Sequence, residues 1–407
     1  MVQLKGFQEL TPINDALDRF FKKLQPKKLE TLLISVEDAL GRVVAKNIIA
    51  ERHLPSFNRS AMDGYALKAE DTAEASQFKP RAFRLVKKKI LEEGEAMEIW
   101  TGNVLPKGAD TVVMLEHTKK IGGQIEVLTP LTPGSNVSRK GEDVKKGETV
   151  MEAGVRLKPY HLGLLAAMGI SEVEVVKIPK TAILATGNEL VALGKELDPN
   201  QIVEVNSIIL SSMCAELGVE AFSLGIAKDD EEEIEERIRE GLAKADVVIT
   251  TGGTSVGIHD LVPKAIERIE PDGVVVHGMA MRPGMPTALA VVHKKPVLIL
   301  SGNPVAAAVG FEIFVRPLFQ KLLGLNDVER VKSKARLTRR VAGVLGRRVF
   351  LRVKVVEKDG EFFAEPVRIK GSGIITTMTK ADGYVIIPEN REGLKENELV
   401  TVHLFET

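Results

Sequence analysis

The chain has 407 residues, more than one ordinary hydrophobic core organises, so roughly two to four domains are expected. Lys plus Arg and Asp plus Glu are both 56, and 44% of residues are apolar; this is a globular composition with no overall electrostatic reason to bind nucleic acid or anionic lipid. No secretory signal or membrane span is expected, and the single cysteine, Cys214, excludes intrachain disulfides and cysteine-cluster metal sites, so a cytoplasmic protein with a buried Cys214 is the expectation.

Residues 11–26 read as a helix, with Thr11 as N-cap, Pro12 at the first helical position and apolar residues at helical spacing until Pro26. Residues 47–150 are rich in Gly, Pro and short apolar runs, and 112–115 and 125–128 read as strands around Gly122-Gly123. A second helix is expected over 160–168, capped by Gly169 and packed on the first, which makes the β-rich piece an insertion. From about residue 179 strands and helices alternate. Strands are expected at 181–185, 219–224, 246–250 and 296–300, with helices capped by Asn206 and Asp230 and a long helix after Asn303-Pro304. Continuous apolar strands between helices indicate a parallel sheet covered on both faces, with ligands at the carboxyl ends of its strands. The last eighty residues or so return to strands, at 349–355, 361–367, 383–387 and 399–405, with Asp359-Gly360 as a hairpin turn; a small barrel is the simplest solution.

Three glycine-containing turns follow strands of the α/β region: Thr186-Gly187-Asn188-Glu189, Thr251-Gly252-Gly253-Thr254-Ser255, and Ser301-Gly302-Asn303-Pro304. Glycines admit close backbone approach and helix N-termini offer amides to phosphate, so together the turns outline a site for a phosphorylated ligand. Neither a Walker P-loop nor a dinucleotide fingerprint is present. The carboxylates Glu189, Asp229 and Asp260 are expected on the same rim, where carboxylates beside phosphates imply Mg²⁺. Arg282, opening the turn Arg282-Pro283-Gly284-Met285-Pro286-Thr287, suits an anion.

These stretches, with Ser60-Ala61-Met62-Asp63-Gly64-Tyr65-Ala66, Thr101-Gly102 and Arg139-Lys140-Gly141-Glu142-Asp143, resemble in order the motifs of the molybdopterin molybdenumtransferase (MoeA, or gephyrin E-domain) family across nearly the whole chain. The resemblance implies an elongated subunit of mixed α/β and β class. Its parts are a helical domain (1–46 and 148–178), an inserted β domain (47–147), a doubly wound molybdopterin-binding domain (179–327) and a C-terminal barrel-like domain (328–407). It implies Mg²⁺-dependent insertion of molybdate or tungstate into adenylated molybdopterin with release of AMP. It also implies a homodimer with its site between subunits, and it leaves room for contact with the molybdopterin adenylyltransferase; no nucleic acid or membrane partner is expected.

By matching position, Asp63, Thr101, Asp143, Glu189, Asp229 and Asp260 are the catalytic candidates, with Glu189, Asp229 and Asp260 for the metal. Gly187, Gly252, Gly253, Thr254, Ser255, Gly302, Asn303 and Pro304 would hold the pterin and its phosphates, and Arg282, Arg352 and Ser372 the oxometalate. Two departures from the family pattern, a turn with Arg282 and Met285 in place of its two lysines and Ala306 in place of a serine, imply weaker or altered oxoanion binding, with tungstate as an alternative metal. A dimeric scaffold of the gephyrin type and a nucleotide pyrophosphatase using the sheet domain alone are the competing expectations.

Overall fold

The computed structural model describes residues 9–254, 260–326, 330–367 and 371–405, which group into two compact units: 33–40 with 44–174, and the remainder. Helix α1 (Ile13–Leu24) buries Ile13, Ala16, Phe20 and Leu24, a stripe at helical spacing. Pro12, not Thr11, occupies the cap, because the backbone of Thr11 bonds Gly278 and Ala280 instead. The helix ends where Gln25 turns left-handed and its N–H bonds Phe21 O.

The smaller unit holds a six-stranded sheet of β1 (Gly64–Leu67), β2 (Arg81–Leu85), β3 (Glu95–Ile99), β4 (Thr111–Met114), β5 (Thr118–Ile121) and β6 (Gln124–Val127), in the order β4-β1-β3-β2-β6-β5. The turn Gly122-Gly123 joins β5 to β6, whereas β4, expected as the partner across that turn, pairs with β1. The reason is burial: Val112 and Val113 are fully buried and need the central strand β1, while the exposed Thr118–Ile121 suits an edge. Helix α2 (Pro159–Ala167) follows, closed by a left-handed Gly169.

The larger unit contains β7 (Lys180–Thr186), α3 (Asn206–Glu216), β8 (Glu220–Ala227), α4 (Glu231–Lys244), β9 (Val247–Thr251), α5 (Leu261–Ile269), β10 (Val274–His277), β11 (Ala288–Val292), β12 (Lys295–Leu300) and α6 (Pro304–Gly310). The strand order is β8-β7-β9-β12-β11-β10. The first four strands are parallel; β7, β9 and β12 are buried on both faces, as their unbroken apolar runs require, while β8 forms a partly exposed edge. The last two, not foreseen, are antiparallel, and α1 packs on them; the face expected to meet the second helix lies on this sheet. Helices α4 and α5 share a core with alternate strand residues, including Ile234, Ile238, Val262, Val248 and Ile299. Asp230 caps α4 as expected, its side chain accepting from Glu233 N–H. The long helix expected after Pro304 is broken by one wide turn at Phe311–Val315 and resumes over Arg316–Leu323.

At the C-terminal end, β13 (Lys332–Leu337), β14 (Arg348–Lys358), β15 (Glu361–Pro366), β16 (Gly383–Ile387) and β17 (Leu399–Leu404) close on themselves. The pairing runs β14-β15-β13-β17-β16 and back to β14, a five-stranded barrel around Leu337, Leu351, Val353 and Val402. No helix among the described residues is long and apolar enough to cross a membrane. Cys214 is fully buried, and burial pushes its thiol up to about 12.

Candidate functional site

The carboxyl ends of β7, β9 and β12 are laced together. Thr186 Oγ1 donates to Thr251 O at 3.3 Å, Gly252 N–H bonds Leu300 O, and Gly187 N–H bonds Ala227 O. This closeness is what demands glycine at 252: a Cβ there would stand 2.3 Å from Thr186 O, at a φ of +89°. The turns after β7 and β8 are tied as well, with Asn188 N–H on Asp229 Oδ2 and Asp229 N–H on Asn188 Oδ1.

These turns surround a cavity of about 430 Å³ lined by Gly187, Glu189, Asp229, Gly252, Gly253, Thr254, Gly302, Asn303 and Pro304. Its wall continues through Glu204 and Asn206, which the motif reading had not assigned to the site. Asn206 is the first residue of α3 rather than its cap: its Nδ2 donates to Gly302 O at 2.8 Å, and its buried Oδ1 has no hydrogen-bond partner among the described residues. Glu204, nearly buried, accepts from Ser207 N–H. A carboxylate and an amide just before an apolar helix were the available signal.

Asp260 starts α5 beside His277, with His277 Nε2 3.5 Å from Asp260 Oδ1, and is not among the residues that line the cavity. Burial holds His277 below its ordinary pKa, against the pull of Asp260. Among the described residues, no three His, Cys, Asp or Glu side chains converge as a metal site, so Glu189, Asp229 and Asp260 do not form the single cluster expected of them. Ser255 lies outside the described residues.

A second cavity of about 350 Å³ adjoins the first, sharing Pro286, Ser301 and Asn303. Arg282, Arg352 and Ser372 all line it, as do Met285 and Ala306. The short strand Met281–Arg282 pairs in parallel with the start of β14, which sets Met281 opposite Arg348 and Arg282 opposite Val349. The same pairing adds Arg347, a cation the motif reading missed. Arg352 is 97% buried, its Nη1 donating to Phe350 O at 3.5 Å, and burial lowers its pKa from the usual guanidinium value.

The remaining candidates lie in the smaller unit. Gly64 faces Ile99 across the β1–β3 ladder, so Asp63 and Thr101, just beyond the paired ends, meet. Asp63 Oδ1 accepts from Thr101 N–H at 2.8 Å and from its hydroxyl at 2.7 Å; these two donors hold Asp63 below the usual carboxylate range. Arg59-Ser60 pairs with Val137-Ser138, which carries the 138–143 turn to the same end of the sheet. There the Glu142 carboxylate, held low, accepts from Ser138 and Arg139, and Asp143 is exposed.

The chain matches the MoeA N-terminal region (domain I and II) over residues 11–169, a probable molybdopterin binding domain over 182–321 and the MoeA C-terminal region (domain IV) over 334–405. It is 35% identical to the molybdopterin molybdenumtransferase of Bacillus subtilis, an alignment spanning 93% of this chain and 91% of that protein. The chain belongs to the MoeA family. A putative molybdopterin biosynthesis protein of Methanocaldococcus jannaschii is 39% identical over 99% of this chain and 100% of its own length. A crystal structure of a MoeA protein from Pyrococcus horikoshii superposes with a TM-score of 0.82 at 37% identity, covering 98% of this chain and 100% of that one. MoeA membership accounts for the order of the motifs, with the molybdopterin-binding match falling on the α/β sheet region and the C-terminal match on the barrel.

Proposed function

We propose that this MoeA chain is an enzyme of molybdenum cofactor biosynthesis, a molybdopterin molybdenumtransferase that inserts molybdate into adenylated molybdopterin and releases AMP. The observation that carries the reading is the pair of adjoining cavities, one lined by glycine turns and carboxylates, the other by three arginines. The reaction needs those two environments side by side, because a dianionic oxometalate must reach the dithiolene sulfurs of a substrate that already carries a diphosphate.

In this reading Gly252, Gly253 and Thr254, with the amides of α6 behind Gly302, Asn303 and Pro304, hold the pterin and its phosphates. Asn206 Oδ1 accepts from a ring or amino N–H of the substrate. Arg282, Arg347 and Arg352, with Ser372, hold the oxometalate, where a buried guanidinium offers fixed donors and a full charge. Met285 and Ala306 bring no polar group to that anion and Arg347 makes up part of the loss, so oxoanion binding is altered and tungstate is a competent alternative substrate.

Mg²⁺ fits the first cavity by its donor set: Glu189 and Asp229 are oxygen ligands, and this ion takes one or two carboxylates alongside substrate phosphates. When bound it offsets the phosphate charge and eases cleavage of the phosphoanhydride. Asp63, Thr101 and Asp143 act on the site from the partner subunit of a homodimer, Asp63 fixed as a carboxylate by its two Thr101 donors. Asp260 acts with His277 at the sheet edge, and the adenylated substrate reaches the dimer by contact with the molybdopterin adenylyltransferase.

The test is AMP release from adenylated molybdopterin, with Mg²⁺ or chelator and with molybdate, tungstate or no oxoanion. Release that requires both Mg²⁺ and an oxoanion supports the reading. No oxoanion dependence from a folded, substrate-binding protein overturns it.

A further inference from the structure

A cavity of about 990 Å³ lies wholly within the inserted β unit, in residues that the proposed reaction does not use. It forms because the segment between β2 and β3 folds against the loop after Trp100: Leu91 N–H bonds Lys107 O, and Lys107 N–H bonds Lys89 O. Its floor is apolar, with Met97 half-buried and Ile90, Trp100 and Val104 left 58%, 51% and 57% exposed. A contiguous exposed cluster of such side chains marks a contact site far more often than chance. Its rim carries Lys87, Lys88, Lys89, Lys107 and Lys120, against Glu98 as its one carboxylate. Lys88 is a strut, held by Glu95 at 2.6 Å and Glu92 at 3.3 Å. The other four lysines have no ion-pair partner among the described residues, although Glu92 and Glu93 are close in sequence.

From this groove we infer a docking site for an acidic peptide segment of a partner protein, one whose apolar side chains seat on Trp100 and whose carboxylates meet Lys87, Lys89, Lys107 and Lys120. Charge complementarity selects the occupant: four unmatched cations around an apolar floor suit alternating acidic and apolar side chains. A large exposed aromatic on an apolar floor within a polar rim matches the anatomy of an interface anchor. The floor argues against nucleic acid, because stacked bases need several aromatic platforms and here the others are aliphatic. Trp100 precedes Thr101, the residue that fixes Asp63, so a docked segment lies beside that pair.

Trp100 is the only tryptophan in the chain, so its emission reports the groove directly. The full-length protein is titrated with a short synthetic peptide of alternating Glu and Leu, with its Gln-Leu and Lys-Leu counterparts, and with an oligothymidylate. The expected result is a saturable blue shift with the Glu-Leu peptide alone, weakened by salt. Binding falls roughly tenfold or more in the exposed double variant Lys89→Glu with Lys107→Glu, whose unchanged thermal midpoint rules out misfolding. Absence of a saturable shift, or an equal response to the Gln-Leu or Lys-Leu peptide, overturns the inference. So does preferential saturation by the oligothymidylate, which assigns nucleic acid. A blue-shifted emission that depends on protein concentration without any peptide also overturns it, since a second copy then covers the groove.

Discussion

The two cavities at the strand ends share Pro286, Ser301 and Asn303 but have opposite electrostatics. Among the described residues, the first is lined by Glu189, Glu204 and Asp229 and by no lysine or arginine, and the second by Arg282, Arg347 and Arg352 and by no carboxylate. An anion can enter the second directly. A phosphorylated ligand can enter the first only on backbone amides or together with a cation, because three carboxylates repel it. On the proposed reading, the contrast separates, within one site, the group that would arrive with a metal ion from the group that would need none.

Removing charge from each side tests that contrast. Arg352→Met keeps the length of a buried side chain and deletes its charge. It is expected to cost roughly 10²–10³-fold in oxoanion-dependent AMP release, the range for losing a pre-organised electrostatic group. Binding of the pterin substrate should change little, as equilibrium dialysis would register. Asp229→Asn is expected to act on the other cavity, lowering turnover by roughly 10²-fold and raising the Mg²⁺ needed for half-maximal rate. If Asp229→Asn instead altered the molybdate dependence, or Arg352→Met the Mg²⁺ dependence, the division between the cavities would fail.

Asn206→Leu probes the wall of the first cavity. It removes both the bond to Gly302 O and the unmatched Oδ1 acceptor. KM for the pterin substrate should rise roughly tenfold with a smaller fall in kcat, since a neutral hydrogen bond of recognition contributes about 1 kcal/mol or somewhat more. A fall in kcat with unchanged KM would show that Asn206 serves only to brace the Gly302 turn.

The first cavity was legible in the sequence and the second only in part, and the physical reason is the range of the determinants. Gly187, Gly252 and Gly302 mark turns whose chemistry is local, each directly after an apolar strand, so the site could be drawn from three short stretches. Arg347 reaches its cavity through the pairing of Met281–Arg282 with residues 348–349, a contact across more than sixty positions that no local pattern encodes. The β10–β11 hairpin escaped for a related reason: its strands sit beyond the parallel run, where an antiparallel return leaves no helix between them to announce it. Asp260 sits with His277, a partner supplied by the same unseen strand, β10. The Asp63–Thr101 pair, by contrast, was named residue by residue from motifs, and the β1–β3 register explains why the two motifs belong together.

The smallest change tests the arginine cavity by addition. Met285 lines it without charge, and its backbone carbonyl accepts from Met279 N–H, an anchor that a side-chain substitution leaves intact. Met285→Lys places a fourth cation beside Arg282, Arg347 and Arg352. Like charges this close repel one another when the anion is absent, so the variant should lose a little thermal stability without oxoanion and regain it with molybdate or tungstate. The expected gain in oxoanion affinity is a few-fold, roughly 1 kcal/mol or less, because the three arginines already supply most of the field. Titration calorimetry with both oxoanions decides the outcome. Equal tightening for the two means that charge alone governs the cavity, whereas tightening of molybdate with no change for tungstate assigns to Met285 the choice between them. No change for either would mean that the anion rests on Arg347 and Arg352, away from the 282–287 turn.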